Sequence, residues 1–135
     1  MSEQKKVFIF DDNTDILELC TFILEDAGYE IKTSSTSNNI IDQVAAYIPD
    51  IIFMDNWLPD VGGIEATREL KSHDELKNIP VIYFSANNDV MSLADQAGAD
   101  GYLSKPFDIQ ELENIYLNIY RPKVAGYSYK NPWYS

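Results

Sequence analysis

At 135 residues the chain has room for one domain and one real hydrophobic core, and its 45% hydrophobic content excludes a disordered polymer. Net charge is −12, and it is unevenly spread: residues 1–120 hold all 22 acids against seven bases (−15), whereas residues 121–135 hold Arg121, Lys123, Lys130 and no acid (+3). A body this acidic repels phosphate backbones, which argues against nucleic acid as a partner and for cations or basic protein surfaces, although most of these carboxylates need do no more than keep a small protein soluble.

In chain order, "KKVFIF" (5–10) reads as a buried strand. Ile16, Leu19, Cys20, Ile23 and Ala27 then recur at helical spacing, with Thr14 as N-cap and Gly28 as stop. "YEIKTS" (29–34) alternates like a strand near a sheet edge. Ile40, Ile41, Val44, Ala45 and Ile48 predict a second helix that ends before Pro49. "IIFM" (51–54), bounded by Asp50 and Asp55, is a third strand, and "WLPDVGG" is turn chemistry. A third helix follows from about Ile64 to Ser72, then a strand over 79–84, then a helix marked by Met91, Leu93, Ala94 and Ala97 and ending at Gly98. "GYLS" (101–104) is a short fifth strand. Asp108 caps a last helix, with Glu111 in capping-box position and Ile109, Leu112, Ile115, Tyr116 and Ile119 on its apolar side.

Five β–α units with continuously hydrophobic strands predict a parallel sheet covered by helices on both faces, an α/β doubly wound fold. The polar start "MSEQKK" and the absence of any apolar run near ~18 residues point to neither signal peptide nor membrane anchor. Cys20 is the only cysteine, which forbids an internal disulfide and fits a reducing cytoplasm.

Ligands of such sheets bind beyond the carboxyl ends of the strands. The residues just past the strands are Asp11 and Asp12, then Asp55, Ser85 and Lys105, the last followed by Pro106. Taken alone, Asp11 and Asp12 could cap a helix. With Asp55 they make three carboxylates that cannot all stay ionised without positive charge, which a hard divalent cation and Lys105 would supply. A cation, a lysine and a hydroxyl around one carboxylate also suit phosphoryl transfer to that carboxylate.

"FDDN", "IIFMDNWLPDVGG", "VIYFSAN" and "GADGYLSKPF", in this order and spacing, resemble the receiver domain of two-component response regulators over about residues 4–120. The resemblance implies a flavodoxin-like five-stranded sheet of order 2-1-3-4-5 and a receiver domain over 1–120, followed by a tail or linker over 121–135. It implies that Asp55 is the phosphoacceptor and that Mg²⁺ is the cofactor. Asp12 would bind the metal directly and Asp11 through water or as a second ligand, with Asp55 and the backbone carbonyl of Trp57 completing the protein's share. Lys105 would pair with Asp55 and later with a phosphate oxygen, and Ser85 would donate to the phosphoryl group. Tyr102 would be the aromatic that changes rotamer, unless it is simply packing. The donor would be a phosphohistidine on a sensor histidine kinase or phosphotransfer protein. The output would be contact with a downstream protein through the face of the fourth helix, fifth strand and fifth helix, which also leaves room for a homodimer.

Asn56 and Trp57 depart from the family pattern, in which an aliphatic and then a small or polar residue are common. A large ring two residues past Asp55 suggests shielding of an aspartyl phosphate from water. Ser85 in place of the commoner threonine keeps the hydroxyl. His73, the only histidine, is expected in a solvated loop, and Cys20 in the core. In the tail, Pro122, Gly126 and Pro132 argue against a helix, and four of its fifteen residues are aromatic. It reads as a frayed end, a segment docking through Trp133 and Tyr134, or the start of a linker.

The leading function is a signalling receiver without an enzymatic or DNA-binding output. One alternative is a receiver fragment of a larger response regulator or hybrid kinase. The distant alternative, a Mg²⁺-dependent phosphatase of the haloacid-dehalogenase type, requires a second aspartate where Trp57 stands.

Overall fold

Short β-branched and aromatic runs punctuated by amphipathic segments build the alternating pattern the sequence predicts. The computed structural model describes residues 5–59, 61–85 and 89–105, together with Gln110, Glu111 and Asn114. In chain order the elements are β1 (Lys6–Phe10), α1 (Thr14–Asp26), β2 (Glu30–Ser34), α2 (Ile40–Tyr47), β3 (Ile51–Asp55), α3 (Gly63–Ser72), β4 (Val81–Ser85), α4 (Val90–Ala97) and β5 (Gly101–Ser104). Gln110, Glu111 and Asn114 are helical. The expected cap Asp108, the rest of the predicted last helix and the tail 121–135 lie outside the described residues.

The strands form one parallel sheet of order β2-β1-β3-β4-β5. β1, β3 and β4 are covered on both faces, which is why their sequences are continuously apolar, whereas β2 at the sheet edge is only half-buried and alternates. Val7, Ile9, Phe53, Ile82, Phe84 and Leu103 pack under α1, against Leu17, Cys20 and Leu24. Phe8, Phe10, Ile52, Met54 and Tyr83 face the opposite layer, where Val44 of α2, Leu70 of α3 and Ala94 of α4 close the core. Full burial of each large side chain contributes roughly 1.5–3 kcal/mol. The chain leaves β1 toward β2 on one side and returns to β3 on the other. The strand order therefore reverses between β1 and β3, and a crevice opens at their carboxyl ends.

Local details differ from expectation. Asn13, not Thr14, caps α1: its Oδ1 accepts the N–H groups of Asp15 (3.0 Å) and Ile16 (3.2 Å), and Thr14 is already helical. The stripe of α1 on the sheet is Leu17, Cys20 and Leu24, while Leu19 and Ala27 face solvent. Ile48, expected on the apolar side of α2, is exposed and left-handed (φ 50°), because the following Pro49 disfavours a helical predecessor. β4 starts at Val81 rather than Ile79, since Pro80 has no N–H to give the ladder. His73 is half-buried, not solvated. It closes α3 by donating its N–H to the Leu70 carbonyl (3.2 Å), and its Nδ1 accepts the Glu75 N–H (3.3 Å). Among the described residues no helix is long and apolar enough to cross a membrane.

Candidate functional site

Register brings the acidic residues together. Phe10 lies beside Met54, so the next residues, Asp11 and Asp55, emerge at the same height from neighbouring strands. Asp55 also pairs with Phe84, one position before Ser85, and Ser85 pairs with Ser104, one position before Lys105. The period of the sheet thus delivers all the candidate side chains but Tyr102 to one edge.

Asp55 is only 6% exposed. Its Oδ1 accepts a hydrogen bond from Lys105 Nζ at 2.8 Å, and its Oδ2 accepts the Trp57 N–H at 3.1 Å. Asp11 is fully buried; its Oδ1 accepts the Asn13 N–H at 2.9 Å and its Oδ2 accepts Lys105 Nζ at 2.5 Å. Asp12 is exposed, yet one carboxylate oxygen from each of Asp11, Asp12 and Asp55 lies within 4.8 Å of the others. Lys105 is fixed by its own N–H, which donates to the Ser85 carbonyl at 3.0 Å, and its ammonium sits 4.6 Å from the centre of the Phe84 ring.

The charges do not balance: three carboxylates face one ammonium. Burial pushes the Asp55 pKa above the usual carboxylate range; Asp11 adds to this, while Lys105 and the Trp57 N–H oppose it. Burial disfavours the Lys105 ammonium too, but its contacts with Asp11 and Asp55 outweigh that and hold its pKa above the ordinary lysine value. Hard oxygen donors on one small, net-negative crevice fit a divalent cation.

Two further expected residues stand apart from this cluster. Trp57 presents its backbone N–H to Asp55 but leaves its ring 74% exposed. Tyr102 is buried in the layer beneath α4, its hydroxyl 3.6 Å from Met91 Sδ. Cys20 is core, as expected; burial and then Asp11 push its thiol up to about 11, which makes it inert.

Several supporting contacts escape a motif-based reading, although Gly63 itself lies in the turn stretch "WLPDVGG". Gly63 presses on the Asp55 carbonyl so closely that a Cβ there would come within 2.2 Å of it, so no other residue fits. The buried Ser37 hydroxyl contacts the carbonyls of Pro59 (3.3 Å) and Val61, and it accepts the Val61 N–H at 3.2 Å, bracing the loop after β3. Tyr83, wholly buried on β4, donates its hydroxyl to Asn56 Oδ1. A tyrosine inside a buried strand does carry a signal, since its hydroxyl must find a partner, but nothing in the sequence names Asn56 as that partner.

Residues 7–117 match the family model of the response regulator receiver domain. Over 108 residues the chain is 36% identical to the polar-differentiation response regulator DivK of Brucella anthropi, covering 78% of this chain and 87% of DivK. It is 31% identical over 114 residues to the CAI-1 autoinducer sensor kinase/phosphatase CqsS of Vibrio cholerae, covering 82% of this chain but 17% of CqsS. Among solved structures, it resembles the receiver domain of the sensor histidine kinase PA1611 from Pseudomonas aeruginosa, which has a magnesium ion coordinated in its active site cleft. The TM-score is 0.77 and the identity 27%, over 85% of this chain and 96% of that one. With most of its length matched and the same sheet order underneath, the chain belongs to the response regulator receiver domains of two-component signalling systems.

Proposed function

We propose that Asp55 accepts a phosphoryl group from a phosphohistidine on a sensor histidine kinase or phosphotransfer protein, in a Mg²⁺-dependent reaction promoted by the receiver's own residues. The observation that carries this reading is the placement of Asp55, buried and held by Lys105 Nζ at 2.8 Å and the Trp57 N–H at 3.1 Å, beside two more carboxylates. Asp11, Asp12, Asp55 and the Trp57 carbonyl would hold Mg²⁺, with Asp12, the exposed member, as the direct ligand and Asp11 as a second ligand or a water-mediated one. When bound, the ion supplies neutralisation of charge on the phosphoryl oxygens.

One Asp55 oxygen attacks phosphorus in line; the O–P bond forms as the P–N bond of the phosphohistidine breaks, and the imidazole leaves with the electron pair. Lys105, shared between Asp11 and Asp55 before transfer, follows the new charge to a phosphoryl oxygen. The Ser85 hydroxyl, at the end of the next strand, donates to another. Phosphorylation replaces the single charge of the Asp55 carboxylate by a phosphoryl group that carries roughly −1.5 to −2 charges on three acceptor oxygens, which draws Ser85 and Lys105 inward. Tyr102, packed beneath α4, would follow by a rotamer change and alter the face made by α4, β5 and the last helix. That face would contact a downstream protein or a second copy. The exposed Trp57 ring would slow water attack on the aspartyl phosphate.

On this reading residues 1–120 are a cytoplasmic signalling module that acts on no external substrate and no nucleic acid, and 121–135 a tail or linker. A second reading, a receiver within a larger regulator or hybrid kinase, is favoured by the match to CqsS, of which this chain covers 17%. The test is incubation with Mg²⁺ and acetyl phosphate followed by intact-mass spectrometry. Gain of one phosphoryl group, lost on chelation and in Asp55→Ala, supports the reading; a wild type that gains none is a degenerate receiver.

A further inference from the structure

The turn after Asp55 is unusually well tied, and one tie comes from a residue outside the receiver chemistry. Asn56 is fixed at two points: its carbonyl accepts the Gly63 N–H at 3.1 Å, and its side-chain Oδ1 accepts the Tyr83 hydroxyl. The peptide that follows is fixed at its other end, where the Trp57 N–H donates to Asp55 Oδ2. Tyr83 is wholly buried in β4, opposite Met54 in register and two residues before Ser85. An aliphatic residue at position 56 would leave its hydroxyl unpaired in the core, so the amide at 56 and the phenol at 83 make sense only as a pair.

We propose that Tyr83 is a positioning residue: through Asn56 it ties the turn that carries the Trp57 backbone to β4, and so sets Asp55 and Trp57 against Ser85. A rigid partner behind a reacting group's own ligands is the usual way such geometry is held. The bond joins the strand that ends in the phosphoacceptor to the strand that ends in the switch hydroxyl. It is therefore suited to keeping the two in register when Ser85 is drawn toward a phosphoryl oxygen. The proposal rests on the reading of Asp55 as phosphoacceptor.

The test uses the full chain and the variants Tyr83→Phe, Asn56→Leu and the double variant. Amide exchange by NMR is read together with Mg²⁺ affinity and the rate of phosphorylation by acetyl phosphate. Tyr83→Phe is expected to speed exchange of the Trp57 amide while amides of β1 and β3 keep their wild-type rates. It is expected to weaken Mg²⁺ binding and slow phosphorylation by about tenfold. In the Asn56→Leu background the same substitution adds nothing, because the bond is already gone. Unchanged Trp57 exchange overturns the proposal. So do uniformly faster core amides, faster exchange with wild-type Mg²⁺ affinity and rate, or an equal loss in the Asn56→Leu background. If the wild type takes up neither Mg²⁺ nor phosphoryl groups, the reading of Asp55 falls. Trp57 exchange in Tyr83→Phe then decides alone: faster supports the tie, unchanged removes it.

Discussion

The two ends of this sheet use aspartate in opposite ways. At the amino end, Asp50 Oδ2 accepts the Lys6 N–H at 2.8 Å while its own N–H donates to the Lys6 carbonyl, stapling β3 to β1. Asp100 Oδ2 accepts the Val81 N–H at 2.8 Å and Lys71 Nζ at 2.5 Å, and that ammonium also reaches the carbonyls of Lys77 and Ile79. Each carboxylate there closes a local account of donors and acceptors. At the carboxyl end, Asp11 and Asp55 share Lys105 as their one cation among the described residues, and the Asp12 carboxylate lies beside them. The residue type is the same; what differs is the company each carboxylate keeps, a backbone N–H or a lysine of its own at the amino end and two other carboxylates around one ammonium at the carboxyl end.

Substitution separates the two ends. The largest effect belongs to Asp55→Asn, expected to lower phosphoryl incorporation from acetyl phosphate by at least about 100-fold in an intact-mass time course, since the attacking oxygen is gone. Next comes Asp100→Ala, which orphans the Val81 N–H and strips the half-buried Lys71 of its carboxylate. Denaturant unfolding should show a loss of about 2 kcal/mol, with phosphoryl uptake intact in the folded fraction.

Asp55→Asn should act on stability in the opposite direction, raising that of the Mg²⁺-free protein by about 1 kcal/mol because it removes a buried like charge and leaves Lys105 its bond to Asp11. The pH dependence carries the same sign. The folded Asp55 pKa lies above its ordinary value of 3.8, so the native state binds the proton more tightly than the unfolded chain. The destabilisation is complete above the raised value and is relieved as pH falls from there toward the ordinary one. The stability difference between wild type and Asp55→Asn should therefore shrink across that acidic window, as read from paired urea titrations. The smallest effect is at Trp57: Trp57→Asn should shorten the aspartyl-phosphate half-life by about threefold if its ring limits water access, and equal decay would remove that role.

The fold and the charged residues of the crevice were legible because both depend on local pattern. Apolar runs and punctuating Pro, Gly and Asp mark strands and their ends, and a parallel sheet sends every strand's last residue to one edge. Partnerships were not legible where register and side-chain reach choose them. Lys105 was expected against Asp55, but it also bridges to Asp11, 94 positions away. The Tyr83–Asn56 bond and the Ser37 brace depend on how two loops lie against the sheet. Helix rotation was equally out of reach: Leu17 and Leu24, not Leu19 and Ala27, face the core because the sheet selects a narrow stripe. Asn13 and Thr14 are both good caps, and the backbone's entry into α1 chose Asn13.

The most direct measurement is a calorimetric Mg²⁺ titration at neutral pH of the wild type, Asp12→Asn and Asp100→Asn. The account predicts one site in the wild type, weakened at least about tenfold by Asp12→Asn and untouched by Asp100→Asn. Absence of binding in the wild type, or binding that Asp12→Asn leaves intact, would contradict it.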